Sequence, residues 1–179
     1  AYNLLTALAL VVASGANIDE AVAALDKVEA VPGRMQGVTA DKGQREKGKG
    51  APSLAIAHSP SPFSHVYVDY AHTPDSLEKI YTAFKDVPKI CILGNTGGGR
   101  DTWKRPEMGA IADRYCDQII LTNEDPYDEN PRAIVNAMVV GITNKEKLTI
   151  IMDRRTAIRT ALETAADGTY VIITGKGTD

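Results

Sequence analysis

Polar residues follow four short apolar segments of this 179-residue chain, and their types could bind a small charged molecule. The four polar clusters occupy residues 69–72, 94–101, 122–126 and 175–179. Because the carboxyl ends of parallel strands meet at one edge of a sheet, we expect the clusters to form one composite site. The alternative interpretation is ordinary loop chemistry, since loops are generally polar.

The second cluster is a glycine-rich turn, Gly97-Gly98-Gly99, followed by Arg100. Adjacent glycines let the backbone approach a ligand closely and present N–H groups to an anion. The Arg100 guanidinium is a planar fork suited to a carboxylate or a phosphate. The turn does not match the G-x-x-x-x-G-K-[ST] phosphate loop. It therefore predicts anion binding, without predicting that the turn alone holds a triphosphate.

His72 follows the first strand, close in sequence to Asp69. A histidine beside a carboxylate could orient a sugar hydroxyl or act as a base. A hydrogen-bonded structural histidine is the equally weighted alternative. No second His or Cys lies at a metal-binding spacing, so we predict no metal site.

Strands that alternate with helices must position these clusters. The predicted strands are residues 65–69, 89–93, 118–122, 149–152 and 170–174, and the predicted helices are residues 74–84, 105–115, 131–140 and 154–165. Continuous apolar strands are typical of a parallel sheet that is covered on both faces. We therefore predict a Rossmann-like three-layer α/β sandwich with a mostly parallel sheet. A short helical segment, with helices at residues 2–14 and from residue 17, precedes it.

Composition restricts the class of protein further. The chain is 44% hydrophobic and 24% charged with a net charge of -3, which indicates a globular fold and no nucleic-acid partner. Cys91 and Cys116 are expected to be small buried hydrophobic residues, with no disulfide framework. No signal peptide or membrane span is predicted, so we expect a cytoplasmic protein without a membrane partner.

Several motifs, in order, resemble the C-terminal domain of Mur ligases, closest to the UDP-N-acetylmuramoyl-tripeptide synthetases. The motifs are Asn3-Leu4-Leu5-Thr6-Ala7-Leu8, Gly33-Arg34-Met35, Val68-Asp69-Tyr70-Ala71-His72-Thr73-Pro74-Asp75, Gly97-Gly98-Gly99-Arg100-Asp101, Lys104-Arg105-Pro106, Met108-Gly109, Thr122 to Pro126, and Gly175-Lys176-Gly177. The resemblance implies that residues 1–33 are the last helices of a central ATPase domain. Residues 34–179 would then be the Mur ligase C-terminal domain.

The resemblance also implies an activity and its cofactors. Such enzymes use ATP and Mg²⁺ to convert a substrate carboxylate to an acyl phosphate, which the amine of an incoming amino acid attacks. The expected substrates are UDP-N-acetylmuramoyl-dipeptide and an amino acid, and the expected partners are upstream domains of the same protein. By position, the implied nucleotide-binding residues are Asn3, Arg34, Asp69 and His72. The implied amino-acid-binding residues are Arg100, Asp125, Tyr127, Gly175 and Asp179.

Two departures from the family pattern bear on these expectations. Diaminopimelate-adding members have an arginine where Tyr127 stands, and Arg132 is displaced toward the next helix. The carboxylates of Glu124 and Asp125 suit an ammonium, so lysine and ornithine stay open beside diaminopimelate. No Gly-Thr-Asn-Gly-Lys-Thr phosphate loop occurs, so we expect no catalytic residue in this chain and no activity from it alone.

Two other classes remain open from the sequence. One is a stand-alone module that binds a nucleotide or an amino acid without catalysis. The other is the C-terminal domain of a cyanophycin or folylpolyglutamate synthetase-like ligase.

Overall fold

The computed structural model describes residues 9–25, 36–38, 65–99 and 101–176, which belong to two units, Ala1–Val31 and Pro32–Asp179. In the first unit, residues 9–13 are helical, and Gly15 follows them with φ +100°. Helix α1 spans Ile18–Leu25, and the side chain of Asn17 accepts a hydrogen bond from the N–H of Asp19 at 2.8 Å. The predicted stop and start of these two helices are therefore confirmed. None of the described helices is both long and apolar enough to cross a membrane.

The second unit alternates strands and helices, as the sequence predicts. Its strands are β1 (Gln36–Val38), β2 (His65–Val68), β3 (Lys89–Leu93), β4 (Gln118–Leu121), β5 (Leu148–Ile150) and β6 (Tyr170–Ile173). Its helices are α2 (Pro74–Ala83), α3 (Lys104–Tyr115), α4 (Pro131–Val139) and α5 (Arg154–Thr164), with a 3₁₀ turn at Lys145–Lys147. Strand β1 is not among the predicted elements.

The six strands form one sheet in the order β1-β2-β6-β3-β4-β5. All neighbours from β2 to β5 run parallel, and only β1 pairs antiparallel, with β2. The predicted mostly parallel α/β sandwich is therefore confirmed. In the parallel register Val68 and Ile173 align with Ile92, one residue before the aligned pair Leu93 and Leu121, so these four strands end at one edge.

Apolar residues of each central strand alternate between two buried clusters. Cys91, Leu93 and Ile172 belong to the cluster that includes residues of α2, α3 and α4. Ile90 and Ile92 belong to the cluster that includes Ala157 and Ala161 of α5. Since successive side chains of a strand point to opposite faces, the two clusters cover the two faces of the sheet. The strand ends are then held by apolar layers on both sides.

The helix that follows β2 begins where the sequence predicts. Thr73 caps α2, because its hydroxyl accepts from the N–H of Ser76 at 3.3 Å while the hydroxyl of Ser76 accepts from the N–H of Thr73 at 3.0 Å. Pro74 occupies the first turn, where its missing N–H is harmless. This capping box fixes the point at which the chain leaves the polar edge of the sheet.

The prediction for the two cysteines is correct for their burial and wrong for the absence of a disulfide bond. Cys91 of β3 and Cys116 after α3 are both buried, as predicted, but they form a disulfide bond. Their Cα atoms are 6.0 Å apart, a spacing at which a disulfide forms without backbone movement. Packing of α3 against β3 brings the two cysteines together. Because they are 25 residues apart in the chain, their spacing in the sequence does not predict this contact.

Candidate functional site

A cavity of about 400 Å³ opens at the carboxyl edge of the sheet. The polar clusters at residues 69–72 and 94–101 contribute lining residues, and so do two residues just after the cluster at 122–126. Its lining residues are His72, Thr96, Gly97, Gly98, Asp101, Lys104, Tyr127 and Asp128. The strand-end clusters after β2, β3 and β4 therefore meet, as parallel strands require.

The segment after β2 places Asp69 and His72 at this edge. Oδ1 of Asp69 accepts a hydrogen bond from the N–H of Ala71 at 2.7 Å, which folds the chain into a tight turn. Nδ1 of His72 lies 2.9 Å from the carbonyl oxygen of Tyr70, and the two rings meet edge to face at 4.7 Å. His72 thus has a structural partner through Nδ1 and also lines the cavity.

The glycine-rich turn after β3 packs directly on the loop after β4. The N–H of Gly97 donates to the carbonyl oxygen of Asp125 at 2.7 Å. A Cβ added to Gly97 would lie 2.0 Å from the carbonyl oxygen of Pro126. Close approach of two backbones therefore requires glycine at this position.

Two non-glycine residues that line the cavity have a left-handed backbone conformation. Asp101 has φ +52° and Tyr127 has φ +50°, and within the described ranges they alone among non-glycine residues have positive φ. An aromatic residue rarely adopts this conformation, which carries a steric cost. The Tyr127 side chain is 75% exposed and lies beside Gly98. Strained backbone of this kind concentrates at functional sites.

Glu124 is buried beneath the cavity, with only 8% of its surface exposed. Its Oε1 accepts from the hydroxyl of Thr96 at 2.8 Å, while Oε2 has no hydrogen-bond partner among the described residues. Burial raises the pKa of the Glu124 carboxyl, and the hydrogen bond from Thr96 and the charge of Arg154 oppose this shift. Burial therefore makes Glu124, one member of the expected carboxylate pair, harder to ionise than an exposed glutamate.

Arg154, at the start of α5, faces this buried carboxyl. One of its guanidinium nitrogens, Nη2, donates to the carbonyl oxygen of Thr174 at 2.8 Å. Burial lowers the pKa of Arg154, and the charges of Glu124 and Asp125 oppose the shift. Arg154 is not among the residues predicted from the sequence, because it stands outside every motif and reaches the site only through the packing of α5 on the sheet.

The loop after β6 completes the edge. Gly175 adopts φ +97°, and Nζ of Lys176 forms an ion pair with Oδ1 of Asp125 at 2.9 Å. Asp125, expected near the incoming amino acid, therefore has an internal partner. Lys176 belongs to the Gly175-Lys176-Gly177 motif, but it is not among the site residues predicted from the sequence.

The structure brings only some of the expected site residues together. His72 and Tyr127 line the cavity, and Asp125 and Gly175 lie in the loops that frame it. Arg132 is exposed on the first turn of α4 and does not line it. Lys104 and Asp128 also line the cavity, although neither was predicted to bind a ligand. Their positions just after the glycine-rich turn and just after the polar cluster at residues 122–126 were the only indication in the sequence. The remaining candidates, Asn3, Arg34, Arg100 and Asp179, lie outside the described residues.

Comparison with known proteins gives this geometry a context. The model of the Mur ligase glutamate ligase domain matches residues 55–177, which is more than half of the chain. Two curated relatives are UDP-N-acetylmuramoyl-L-alanyl-D-glutamate–2,6-diaminopimelate ligases from Coxiella burnetii and Thermosynechococcus vestitus, 39% and 41% identical over 178 residues. Each alignment covers 98% of this chain and 32% of the relative. The chain thus spans about a third of the length of the curated relatives it matches.

Solved structures agree with the fold. A UDP-N-acetylmuramoyl-L-alanyl-D-glutamate–2,6-diaminopimelate ligase aligns with a TM-score of 0.64 and 32% identity, covering 98% of this chain and 32% of that one. A bifunctional folylpolyglutamate synthase/dihydrofolate synthase from Yersinia pestis aligns with a TM-score of 0.66 over 96% of this chain and 35% of that one. Its identity is only 19%, so this second likeness concerns the fold alone.

Proposed function

We propose a function from one premise: the chain belongs to the Mur ligase family. It is the C-terminal, amino-acid- and nucleotide-binding domain of an ATP-dependent amide ligase. The full-length enzyme adds the third amino acid to UDP-N-acetylmuramoyl-dipeptide in peptidoglycan synthesis. The observation that carries the proposal is the cavity at the carboxyl ends of the parallel strands, which has charged groups of both signs.

The proposed reaction has two steps. The γ-phosphoryl group of ATP passes to the substrate carboxylate, ADP leaves, and an acyl phosphate forms. The amine of the incoming amino acid then attacks the acyl carbon, phosphate leaves, the amine loses a proton, and an amide remains. This chain binds and orients the amino acid and the nucleotide, and upstream domains perform the phosphoryl transfer.

The cavity has the charges that a zwitterionic amino acid requires. Lys104 provides a cation for a carboxylate, and Asp101 and Asp128 provide anions for an ammonium. Arg100, which follows the glycine turn in sequence, is proposed as the second group that binds the carboxylate of the amino acid. Asp125, Tyr127, Gly175 and Asp179 would surround the side chain of the amino acid.

The nucleotide is assigned to the part of the sheet's carboxyl edge that neighbours the amino-acid site. Asn3 and Arg34 would contact the adenine side, Asp69 would accept from ribose hydroxyls, and His72 would lie between nucleotide and amino acid. No three His, Cys, Asp or Glu side chains cluster as metal ligands within residues 9–25, 36–38, 65–99 and 101–176. We therefore assign the Mg²⁺ of the reaction to no residue within these ranges.

The test is an amino-acid panel with the full-length enzyme. Release of ADP that depends on both UDP-N-acetylmuramoyl-dipeptide and one of diaminopimelate, lysine or ornithine would support the proposal and identify the amino acid. ADP release that depends on a folate substrate, or binding of a nucleotide with no turnover, would overturn it in favour of the two other classes.

Arginine variants of the same enzyme locate the amino-acid site. Arg100→Ala should raise the KM of the amino acid roughly 10- to 100-fold, the scale of a lost charge-assisted pair. Arg132→Ala is the matched control, because this arginine is exposed and does not line the cavity. An unchanged KM in Arg100→Ala would remove Arg100 from the assigned role.

A further inference from the structure

Three hydrogen bonds join the glycine-rich turn after β3 to the loop after β4. Beside the bond from Thr96 to Glu124 and the bond from Gly97 to the carbonyl of Asp125, the N–H of Gly99 donates to Oε1 of Glu129 at 2.7 Å. Both loops carry residues that line the cavity. The relative position of the two walls of the cavity therefore depends on these bonds.

Arg105, in the first turn of α3, forms hydrogen bonds with both of these segments. Its guanidinium donates to both oxygens of Glu129, from Nη1 at 2.8 Å and from Nη2 at 2.9 Å. Nε donates to Oδ1 of Asn95 at 3.2 Å, and Nη2 also lies 3.4 Å from the carbonyl oxygen of Thr96. One side chain thus connects a helix, the glycine turn and the loop after β4.

Arg105 is the buried member of the pair, whereas the side chain of Glu129 is 26% exposed. Arg105 is 5% exposed, although an arginine is rarely buried without compensation. Hydrogen bonds from Arg105 and from the N–H of Gly99 lower the pKa of Glu129 to about 2, so its carboxylate stays ionised. Desolvation of the buried Arg105 reduces the net stability that the pair provides, whereas its bidentate geometry fixes orientation well.

Neither residue lines the cavity, but Arg105 contacts the carbonyl oxygen of Thr96, which lines it, and Glu129 accepts from Gly99, which follows the lining residue Gly98. We propose that Arg105 and Glu129 are positioning residues, which fix the glycine turn against Tyr127 and so set the shape of the amino-acid side of the cavity. This inference rests on the proposed function for its kinetic consequence only. Asp69, assigned to the nucleotide, follows β2, whereas the pair joins α3 and the segments that follow β3 and β4.

The test is Glu129→Gln in the full-length ligase, because glutamine keeps the size of the side chain and removes the charge that Arg105 binds. We expect the KM of the amino acid to rise about ten-fold or more, the scale of one lost charge-assisted hydrogen bond. The KM of ATP should change less than about two-fold, since a shift of that size lies below the scale of one hydrogen bond.

Two control variants separate positioning from stability. Glu78→Gln makes the same chemical change in the pair with Arg114, where Nη1 lies 3.2 Å from Oε1 and both side chains are largely exposed. It should leave both constants unchanged. Ile134→Val removes one methylene from the core of α4 and should lower the melting temperature without changing the ratio of the two constants.

A second measurement does not depend on activity. Hydrogen–deuterium exchange of the full-length protein should be faster in Glu129→Gln than in Ile134→Val for peptides covering residues 94–103 and 122–130. Unchanged exchange in both peptides would overturn the proposal, as would equal increases in the two KM values. Faster exchange in Glu129→Gln, combined with a wild-type protein that shows no ligase activity, would support the positioning role and reject the proposed function instead.

Discussion

Gly175 and Glu124 lie in direct contact, which ties the loop after β6 to the buried carboxyl of the loop after β4. A Cβ added to Gly175 would lie 2.1 Å from Oε2 of Glu124. Gly175 also has φ +97°, a value that side chains disfavour. Glycine is therefore required here for two separate reasons, the backbone angle and the space that the carboxyl occupies.

The change Gly175→Ala should destabilise the protein more than the backbone angle alone explains. The positive φ costs roughly 1–2 kcal/mol for a residue with a Cβ. Displacement of the buried carboxyl should add about 1–3 kcal/mol, the usual range for overpacking. Gly168→Ala is the matched control, since Gly168 has φ +78° and no atom within 4 Å of an added Cβ. Equal losses in urea unfolding of the two variants would contradict the contact.

The sequence predicts the central sheet well because burial on both faces leaves a clear pattern. Runs such as Ile90-Cys91-Ile92-Leu93 carry no polar residue and end in a polar turn, and the structure places β3 there with every residue buried. Strand β1 lacks this pattern. Its three residues, Gln36–Val38, are all exposed, and only pairing with β2 makes them a strand.

The site is predicted less completely, because its decisive contacts join residues far apart in the chain. A glycine-rich turn and a polar loop can be recognised from their composition. The approach of Arg154 to Glu124, and of Arg105 to Glu129, depends instead on how α5 and α3 pack against the sheet. Nothing in the spacing of a single sequence specifies which arginine meets which carboxylate.

A second glycine prediction concerns the contact between α3 and α4. Gly109→Ala would normally stabilise a helix interior by roughly 0.5–1 kcal/mol. Here the added Cβ would lie 2.1 Å from the carbonyl oxygen of Met138, so we expect a loss of about 1–3 kcal/mol instead. In the control, Gly37→Ala, the nearest atom is Cε1 of Tyr67 at 3.7 Å, and stability should change by about 0.5 kcal/mol or less. Thermal unfolding of both variants tests this, and a stabilised Gly109→Ala would refute it.

The pH dependence of Glu124 follows from its burial. Desolvation raises the folded-state pKa of this carboxyl above the ordinary value of 4.5, so the folded protein binds the proton more tightly than the unfolded chain. Its contribution to stability is complete below pH 4.5 and declines as the pH rises through the folded-state pKa. The stability of the wild type relative to Glu124→Gln should therefore fall over this window, measured by urea unfolding at several pH values. A difference that rises with pH would show that Arg154 outweighs desolvation.

Glu129 should show the opposite dependence. Its folded-state pKa is lowered to about 2, chiefly by the hydrogen bonds from Arg105, below the ordinary value of 4.5. The stability that this carboxylate contributes is present above pH 4.5 and is lost as the pH falls through about 2. The advantage of the wild type over Glu129→Gln should thus be constant near neutral pH and shrink in acid. The same unfolding series measures it, and an advantage that persists at pH 2 would contradict the ion pair.

Tyr127 offers a test of whether strain is stored at the cavity. Its backbone has φ +50° while its ring is 75% exposed, so the ring contributes little burial in return for the steric cost. Tyr127→Gly removes both the ring and the strain, whereas Tyr127→Ala removes the ring and keeps the Cβ. We expect the glycine variant to be more stable than the alanine variant by about 0.5–1 kcal/mol, after the greater freedom of unfolded glycine is subtracted.

Activity of the same two variants separates the ring from the backbone. Because Tyr127 lines the cavity beside Gly98, loss of the ring should raise the KM of the amino acid in both variants of the full-length ligase. If the left-handed backbone also positions the loop, the rise should be larger for Tyr127→Gly, since glycine no longer restricts φ. Equal constants in the two variants would assign the whole effect to the ring, and wild-type constants in both would remove Tyr127 from the amino-acid site.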